Sequence, residues 1–294
     1  MPTFIDDLPP VPQRPADSHK GTFGRLLIVA GSRGMSGAAV LSGMGALRGG
    51  AGLVDVATPA SVQPIIAGYE PSWLSLPLPE DADGHLDRTS FPLIEKRWES
   101  VSAVAIGPGW GVTEKTKRLA RLIVEQCPHP AVIDADGLTA LALQSDAWRK
   151  AAAPRVVTPH PGEFARMRGV DTKAIQADRV GHATAFAKEH GVVVVLNGHG
   201  SVGTDGERVV INSTGNPGMA TGGTGDVLTG LTGALLAQKM APFDAVRLAV
   251  YLHGLAGDLA AAELSQPGLI ASDLPRFLGK AWLKLQESRS GRRP

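Results

Sequence analysis

The chain has 294 residues, 43% hydrophobic and 19% charged, a balance that fits an ordinary globular protein and argues against disorder outside the ends. A net charge of +1, without a long block of like charge, removes the electrostatic case for nucleic acid or an anionic membrane surface and favours a small-molecule partner. The one cysteine, Cys127, cannot form an internal disulfide, and no Cys/His spacing resembles a zinc site, which suits a reducing compartment.

In chain order, the start MPTFIDDLPPVPQRPADSHKG carries Asp6, Asp7 and several prolines and lacks the basic start and apolar core of a secretory signal. Residues 1–17 read as a flexible arm of a cytoplasmic protein. Short β-branched runs then alternate with longer helical patterns: RLLIVA at 25–30, LVDVAT at 53–58, AVAI at 103–106, AVID at 131–134, RVVT at 155–158 and VVVVL at 192–196. The last of these is the longest strongly apolar run, far short of the roughly 20 residues that span a bilayer. Alternation of this kind predicts a mainly parallel sheet, and runs without a polar partner at every second position predict helices on both faces. The expected fold class is therefore α/β, a three-layer α/β/α sandwich built as a single domain over 1–294.

Beyond residue 200 the pattern changes. SVGT, the turn Asp205-Gly206 and RVVIN predict a hairpin with antiparallel strands at one edge of the sheet. Helical periodicity follows over 227–240, 243–264 and 273–287, and 288–294 reads as a fraying end.

The most informative segment is NSTGNPGMATGGTGDVLTG at 212–230, where a glycine-dense loop runs into an apolar helix. The backbone N–H groups of Gly223, Thr224 and Gly225 would lie at the helix start, where unpaired donors and the helix dipole make an anion hole. Asp226 follows at once, placed to take a proton from a hydroxyl as it meets a terminal phosphoryl group. The plainer alternative is that Thr224 and Asp226 only cap the helix. No Lys-Ser/Thr follows the glycines and no GxGxxG follows the first strand, so neither a Walker A loop nor a Rossmann fingerprint is present. The run GGTGD resembles the anion-hole motif of the ribokinase-like kinases, whose aspartate is the catalytic base.

SHKGTFGRLLIVAGSRGMSGAAVLSGMGALRGGAGLVDVATP, AIGPGWG, VIDADGL, VTPHPGEFARM, GGTGD and AVYLHGLAGDLAA, in that order and spacing, resemble the NAD(P)H-hydrate dehydratase family from about Ser18 to about Leu278. The resemblance implies repair of hydrated nicotinamide cofactor: the S form of NADHX or NADPHX is dehydrated to NADH or NADPH at the expense of ADP or ATP, with Mg2+. By analogy with the kinases, a phosphoryl group would pass to the 6-hydroxyl of the hydrate and then leave as phosphate, with Asp226 activating that hydroxyl. The family's N-terminal epimerase domain is absent, so a separate epimerase is an expected partner, and a homotetramer is the expected assembly.

The same resemblance assigns roles. Ala39 contacts the hydrate, with Ala38 as the alternative, although the small residues of 36–50 also suit tight helix packing. Gly109 in GPGWG admits the ligand, His160 touches the hydrate, and Glu163 lies near the metal and orients it through water. Asn197, Gly198, His199, Gly200 and Ser201, together with Gly225, hold the nucleotide, and at Asn197 the chain departs from the lysine that many members carry. Asp134 and Asp136 would assist magnesium or cap the next helix, and His253 is a packing group. The competing functions are a small-molecule kinase of the same fold, of the hydroxyethylthiazole or hydroxymethylpyrimidine type, and a nucleotide sensor without turnover, which the intact Asp226 disfavours.

Overall fold

Ten strands join in one sheet: β1 (Thr3–Phe4), β2 (Arg25–Val29), β3 (Leu53–Pro59), β4 (Leu74–Leu78), β5 (Ala103–Ile106), β6 (Ala131–Ile133), β7 (Arg155–Val157), β8 (Val193–Leu196), β9 (Val202–Thr204) and β10 (Arg208–Ile211). They come from a computed structural model that describes residues 2–142, 144 and 146–290. The order across the sheet is β1-β10-β9-β8-β7-β6-β5-β2-β3-β4. From β8 to β4 every pair is parallel, and β9 is antiparallel to both β8 and β10. The six apolar runs and the hairpin stand where the sequence pattern puts them.

Side chains alternate between two buried faces along the central strands, as the period of two requires. In β2, Leu26 and Ile28 join the core under the helices Ser36–Arg48, Thr224–Ala237, Pro242–Leu264 and Leu274–Ser290. Leu27 and Val29 point into the opposite core, under the helices Glu114–Gln126, Pro161–Arg168 and Arg179–His190 among others. Both faces of the sheet are thus covered, and the layers are α/β/α.

The small residues of the Ser36–Arg48 helix serve helix packing. A methyl group on Gly45 would stand 2.3 Å from the carbonyl oxygen of Val227, and one on Gly230 would stand 1.8 Å from that of Ser42. Backbone-to-backbone approach this close seats the Thr224–Ala237 helix directly against the Ser36–Arg48 helix, so the position of its first turn is set by core packing.

Two strands fall outside the sequence expectation. LSLPL forms β4, an edge strand that tolerates Pro77 because one side of its ladder needs no partner. The arm 2–17 is not frayed: β1 adds parallel to β10, with the amides of Thr3 and Ile5 donating to the carbonyls of Glu207 and Val209 at 2.8 Å. Arg247 pairs with the Asp7 carboxylate at 2.8 Å, and Arg14 donates to the Gly50 carbonyl at 2.6 Å with its guanidinium over the Phe23 ring. Likewise residues 288–290 continue the last helix, where Arg289 donates to the Pro9 carbonyl at 2.7 Å, while 291–294 lie outside the described residues.

Candidate active site

In an open parallel sheet the strand carboxyl ends carry the ligand sites, because the loops there are free to diverge. Here β6 runs into Asp134, β7 into Thr158 and His160, and β8 into Asn197. Together with the segment 214–221 and the start of the Thr224–Ala237 helix they enclose a cavity of about 670 Å3. Gly198, His199, Gly200, Ser201, Glu163 and the run 223–226 all line it, as do His253 and Gly254.

The helix start has donors that an anion could use. Gly223 is the N-cap residue, with φ +95 and no side-chain cap, and the first helical bond is from the Val227 amide to its carbonyl at 3.3 Å. The amides of Thr224, Gly225 and Asp226 therefore have no partner within the helix, and the dipole adds positive potential at the same place. Only glycine fits position 223, since a methyl group there would meet Leu41 Cδ1 at 2.4 Å in a backbone region that L residues avoid. The Thr224 hydroxyl does not cap the helix, because it donates to the carbonyls of Met219 and Thr221, both at 3.2 Å. His253 donates its Nε2–H to the Thr224 carbonyl at 2.9 Å, and burial pushes its pKa down to about 4, so it is a neutral ring that pins the first turn.

Beside these donors stand the carboxylates. Burial, followed by repulsion from Asp134, Asp136 and Glu163, pushes the pKa of Asp226 up to about 8. Asp134 is 5% exposed and is pushed up to about 6, chiefly by burial, although the Thr229 hydroxyl donates to its Oδ2 at 2.5 Å. It makes no side-chain cap bond to the helix that follows it. Asp136 accepts the Gly111 amide at 2.9 Å and so anchors the GPGWG turn. Burial raises Glu163 as well; its Oε2 accepts the His160 amide at 2.9 Å. The His160 Nδ1 in turn accepts from the amides of Gly162 at 3.0 Å and Glu163 at 3.4 Å. Both Nδ1 bonds require an unprotonated nitrogen, so the proton of the neutral ring is on Nε2, which lies 3.5 Å from Oε1 of Glu163 on a side chain that remains 56% exposed.

No lysine or arginine is among the described residues lining this cavity, whereas Asp134, Glu163 and Asp226 all are. Such oxygen donors suit a hard divalent cation in kind, but their ligand atoms do not all lie within 4.8 Å of one another, so the three do not form a closed cage.

Asn197 donates its Nδ2 to the Thr158 carbonyl at 2.7 Å, so its amide braces the strand ends and brings no charge to the loop. The facing wall, 214–221, was assigned no role from sequence. Asp258 holds it by accepting the Gly215 amide at 2.9 Å and the Asn216 Nδ2 at 3.0 Å. The contiguity of NSTGNPGM with the glycine loop, and the AGD of the Pro242–Leu264 helix, are the signals that could have revealed it.

Ala39 and Gly109 do not line this cavity. They lie toward β2 and β5, where the strand order reverses and the Gly31 amide donates to the Pro108 carbonyl at 2.8 Å. Ala39 is 0% exposed and has no free face, whereas its neighbour Ala38 is half-buried. A methyl group on Gly109 would come within 2.8 Å of Ala38 Cβ, so this glycine lets the 107–111 turn close onto the Ser36–Arg48 helix.

A three-layer α/β/α sheet whose glycine-led, uncapped helix start carries an aspartate at the carboxyl edge is a ribokinase-like fold, and structures of hydroxyethylthiazole kinase and ribokinase, at 17% and 11% identity, share that fold. The chain belongs to the NAD(P)H-hydrate dehydratase family, whose model matches residues 26–278. It is 36% identical to an ADP-dependent (S)-NAD(P)H-hydrate dehydratase of Bacillus subtilis over 94% of this chain and 95% of that one. A solved structure of the ADP/ATP-dependent NAD(P)H-hydrate dehydratase from Bacillus subtilis, co-crystallised with ATP/Mg2+, superimposes with a TM-score of 0.80 at 35% identity, covering 93% of this chain and 94% of the other. The bifunctional NAD(P)H-hydrate repair enzyme of Moorella thermoacetica is 42% identical over 94% of this chain but only 52% of its own length, so the chain spans about half of that relative.

Proposed function

We propose that the protein dehydrates the S epimer of NADHX or NADPHX to NADH or NADPH, consuming ADP or ATP. The observation that carries this reading is the convergence of Asp226, the free amides of 224–226 and the loop 197–201 on one cavity. The nucleotide's phosphates would lie along 197–201 with the terminal phosphoryl group at the helix start. The hydroxyl on C6 of the hydrate would enter from the β2–β5 side, past Ala38 and Gly109.

Asp226 then takes the hydroxyl proton as the oxygen forms its bond to phosphorus and the bond to the nucleotide's leaving oxygen breaks. The amides of Thr224, Gly225 and Asp226 face the charge that gathers on the transferring group. Hydroxide is a poor leaving group and phosphate a good one, so loss of phosphate and of a ring proton restores the C5–C6 double bond. Glu163 and Asp134 would hold magnesium, which when bound neutralises charge on the phosphates. The Nε2 of His160 would hydrogen-bond the hydrate. ADP is the favoured donor, in line with the Bacillus subtilis relative. An epimerase, which the longer relatives suggest, would supply the S form from R.

Incubation with NADHX and either nucleotide tests the proposal through recovery of the near-ultraviolet absorbance of NADH. No recovery with either donor excludes it. Stoichiometric release of inorganic phosphate separates a dehydratase from a kinase, whose product keeps the phosphate.

A further inference from the structure

The cavity that would hold phosphates has no lysine or arginine among its described lining residues, and Asn197 spends its amide on the Thr158 carbonyl. One arginine sits immediately behind the lining. Arg179, first residue of the Arg179–His190 helix, donates its Nη2 to the carbonyls of Leu196 at 2.9 Å and Asn197 at 3.2 Å. Its Nη1 donates to the neutral Gln176 side chain at 3.0 Å. The guanidinium is packed so close beneath the loop that a methyl group on Gly198 would stand 3.1 Å from Nη1. Gly198 has φ +134, so its lack of a side chain is what lets the loop pass over this cation.

No carboxylate among the described residues pairs with Arg179, and its Nε is buried without a partner. Burial alone depresses its pKa, with no acidic neighbour acting the other way. A cation in the first turn of a helix also opposes the helix dipole. The hydrogen bonds of Arg179 brace the carbonyls of Leu196 and Asn197, and an anion on the far side of the 196–198 backbone would gain from its charge as well.

We infer that Arg179 is the fixed cation of the nucleotide-phosphate subsite, a positioning residue that holds the 196–198 backbone and supplies, through it, the positive charge that Asn197 does not carry. This rests on the nucleotide reading of the 197–201 loop. Because the charge acts across a backbone layer, its effect should scale with the phosphate charge of the ligand and be weakened by salt.

The test measures binding of AMP, ADP and ATP to the full chain by calorimetry, at fixed magnesium and two salt concentrations, for wild type, Arg179→Gln, Arg179→Lys and the double variant Arg179→Gln with Asn197→Lys. Arg179→Gln should weaken ATP about tenfold, ADP less and AMP least, with the gradient shrinking in high salt. Arg179→Lys should keep the wild-type preference for ATP over AMP, and Asn197→Lys should restore it in the double variant. An equal loss for all three nucleotides, or a gradient that Arg179→Lys also abolishes, would mean that Arg179 only packs the loop and overturns the inference. If Arg179→Gln does not fold, the lysine variant alone decides by the same criterion. A wild type that binds none of the three would remove the nucleotide reading itself.

Discussion

Thr229 donates its hydroxyl to Oδ2 of Asp134 at 2.5 Å, joining the first turns of the Thr224–Ala237 helix to the end of β6 across 95 residues of sequence. This bond fixes the distance between two acids, Asp134 and Asp226, whose repulsion shapes the site. Thr229→Val should loosen it: turnover with NADHX and ADP falls about tenfold while the melting temperature drops only a few degrees, a split that steady-state kinetics and calorimetry would record together.

Asp226→Asn removes the proposed base but leaves the backbone amides of 224–226 in place. The expected result is a fall in kcat of at least about a hundredfold with nucleotide affinity kept within a few fold. If binding is lost along with turnover, the carboxylate has a structural role instead.

The raised carboxylates set a pH dependence. Folded pKa values of about 6 for Asp134 and about 8 for Asp226 lie above the unfolded values, so the fold favours the protonated forms. Their stabilising contribution is complete below the ordinary carboxylate range and is lost as pH rises through about 6 and then about 8. The nucleotide-free protein should therefore melt at progressively lower temperature over this span, and Asp226→Asn should flatten the upper part. Magnesium with ADP should flatten it too. A melting temperature that rises over the same range would reverse the assignment.

Gly222 and Gly223 make a paired test. A methyl group at 222 meets nothing within 4 Å, whereas at 223 it meets Leu41 and a φ of +95. Gly223→Ala should cost about 1–3 kcal/mol of stability in denaturant titrations. Gly222→Ala should leave stability unchanged and weaken nucleotide binding if the phosphates pass that point.

Arg155, 1% exposed, donates to the carbonyls of Val124, Cys127, His129, Ala153 and Pro154 and pairs with no carboxylate among the described residues. Burial brings its pKa down to about 10. It ties the end of the Glu114–Gln126 helix to β7. Arg155→Met leaves several buried carbonyls without donors and should destabilise the protein by about 3 kcal/mol or more, with little effect on nucleotide binding.

The sheet, its hairpin and the glycine-led helix start were legible because local patterns determine them: apolar runs for β2, β3 and β5 to β8, and Gly222-Gly223 before an apolar helix. β4 was not, since an edge strand with Pro77 and exposed Leu74 carries no clear alternation. Nor was the work of His253, Thr229, Asp258 and Arg179. Each acts on backbone or side chains from a different part of the chain, and a bond such as His253 to Thr224 leaves no trace in residue spacing. The glycines of the Ser36–Arg48 helix were ambiguous in sequence because close approach to protein and to ligand ask for the same residue.

The arm that ends in β1 has a practical consequence. An open sheet leaves a row of unpaired amides and carbonyls along its outer strand, and such a strand recruits copies of itself in concentrated solution. By lying along β10, Thr3 and Phe4 occupy the place that an intruding strand would take, and Arg247 clasps Asp7 to keep them there. A start moved past Asp7 would remove both the strand and its clasp, and should therefore show itself first as turbidity and precipitate during purification, before any change in turnover.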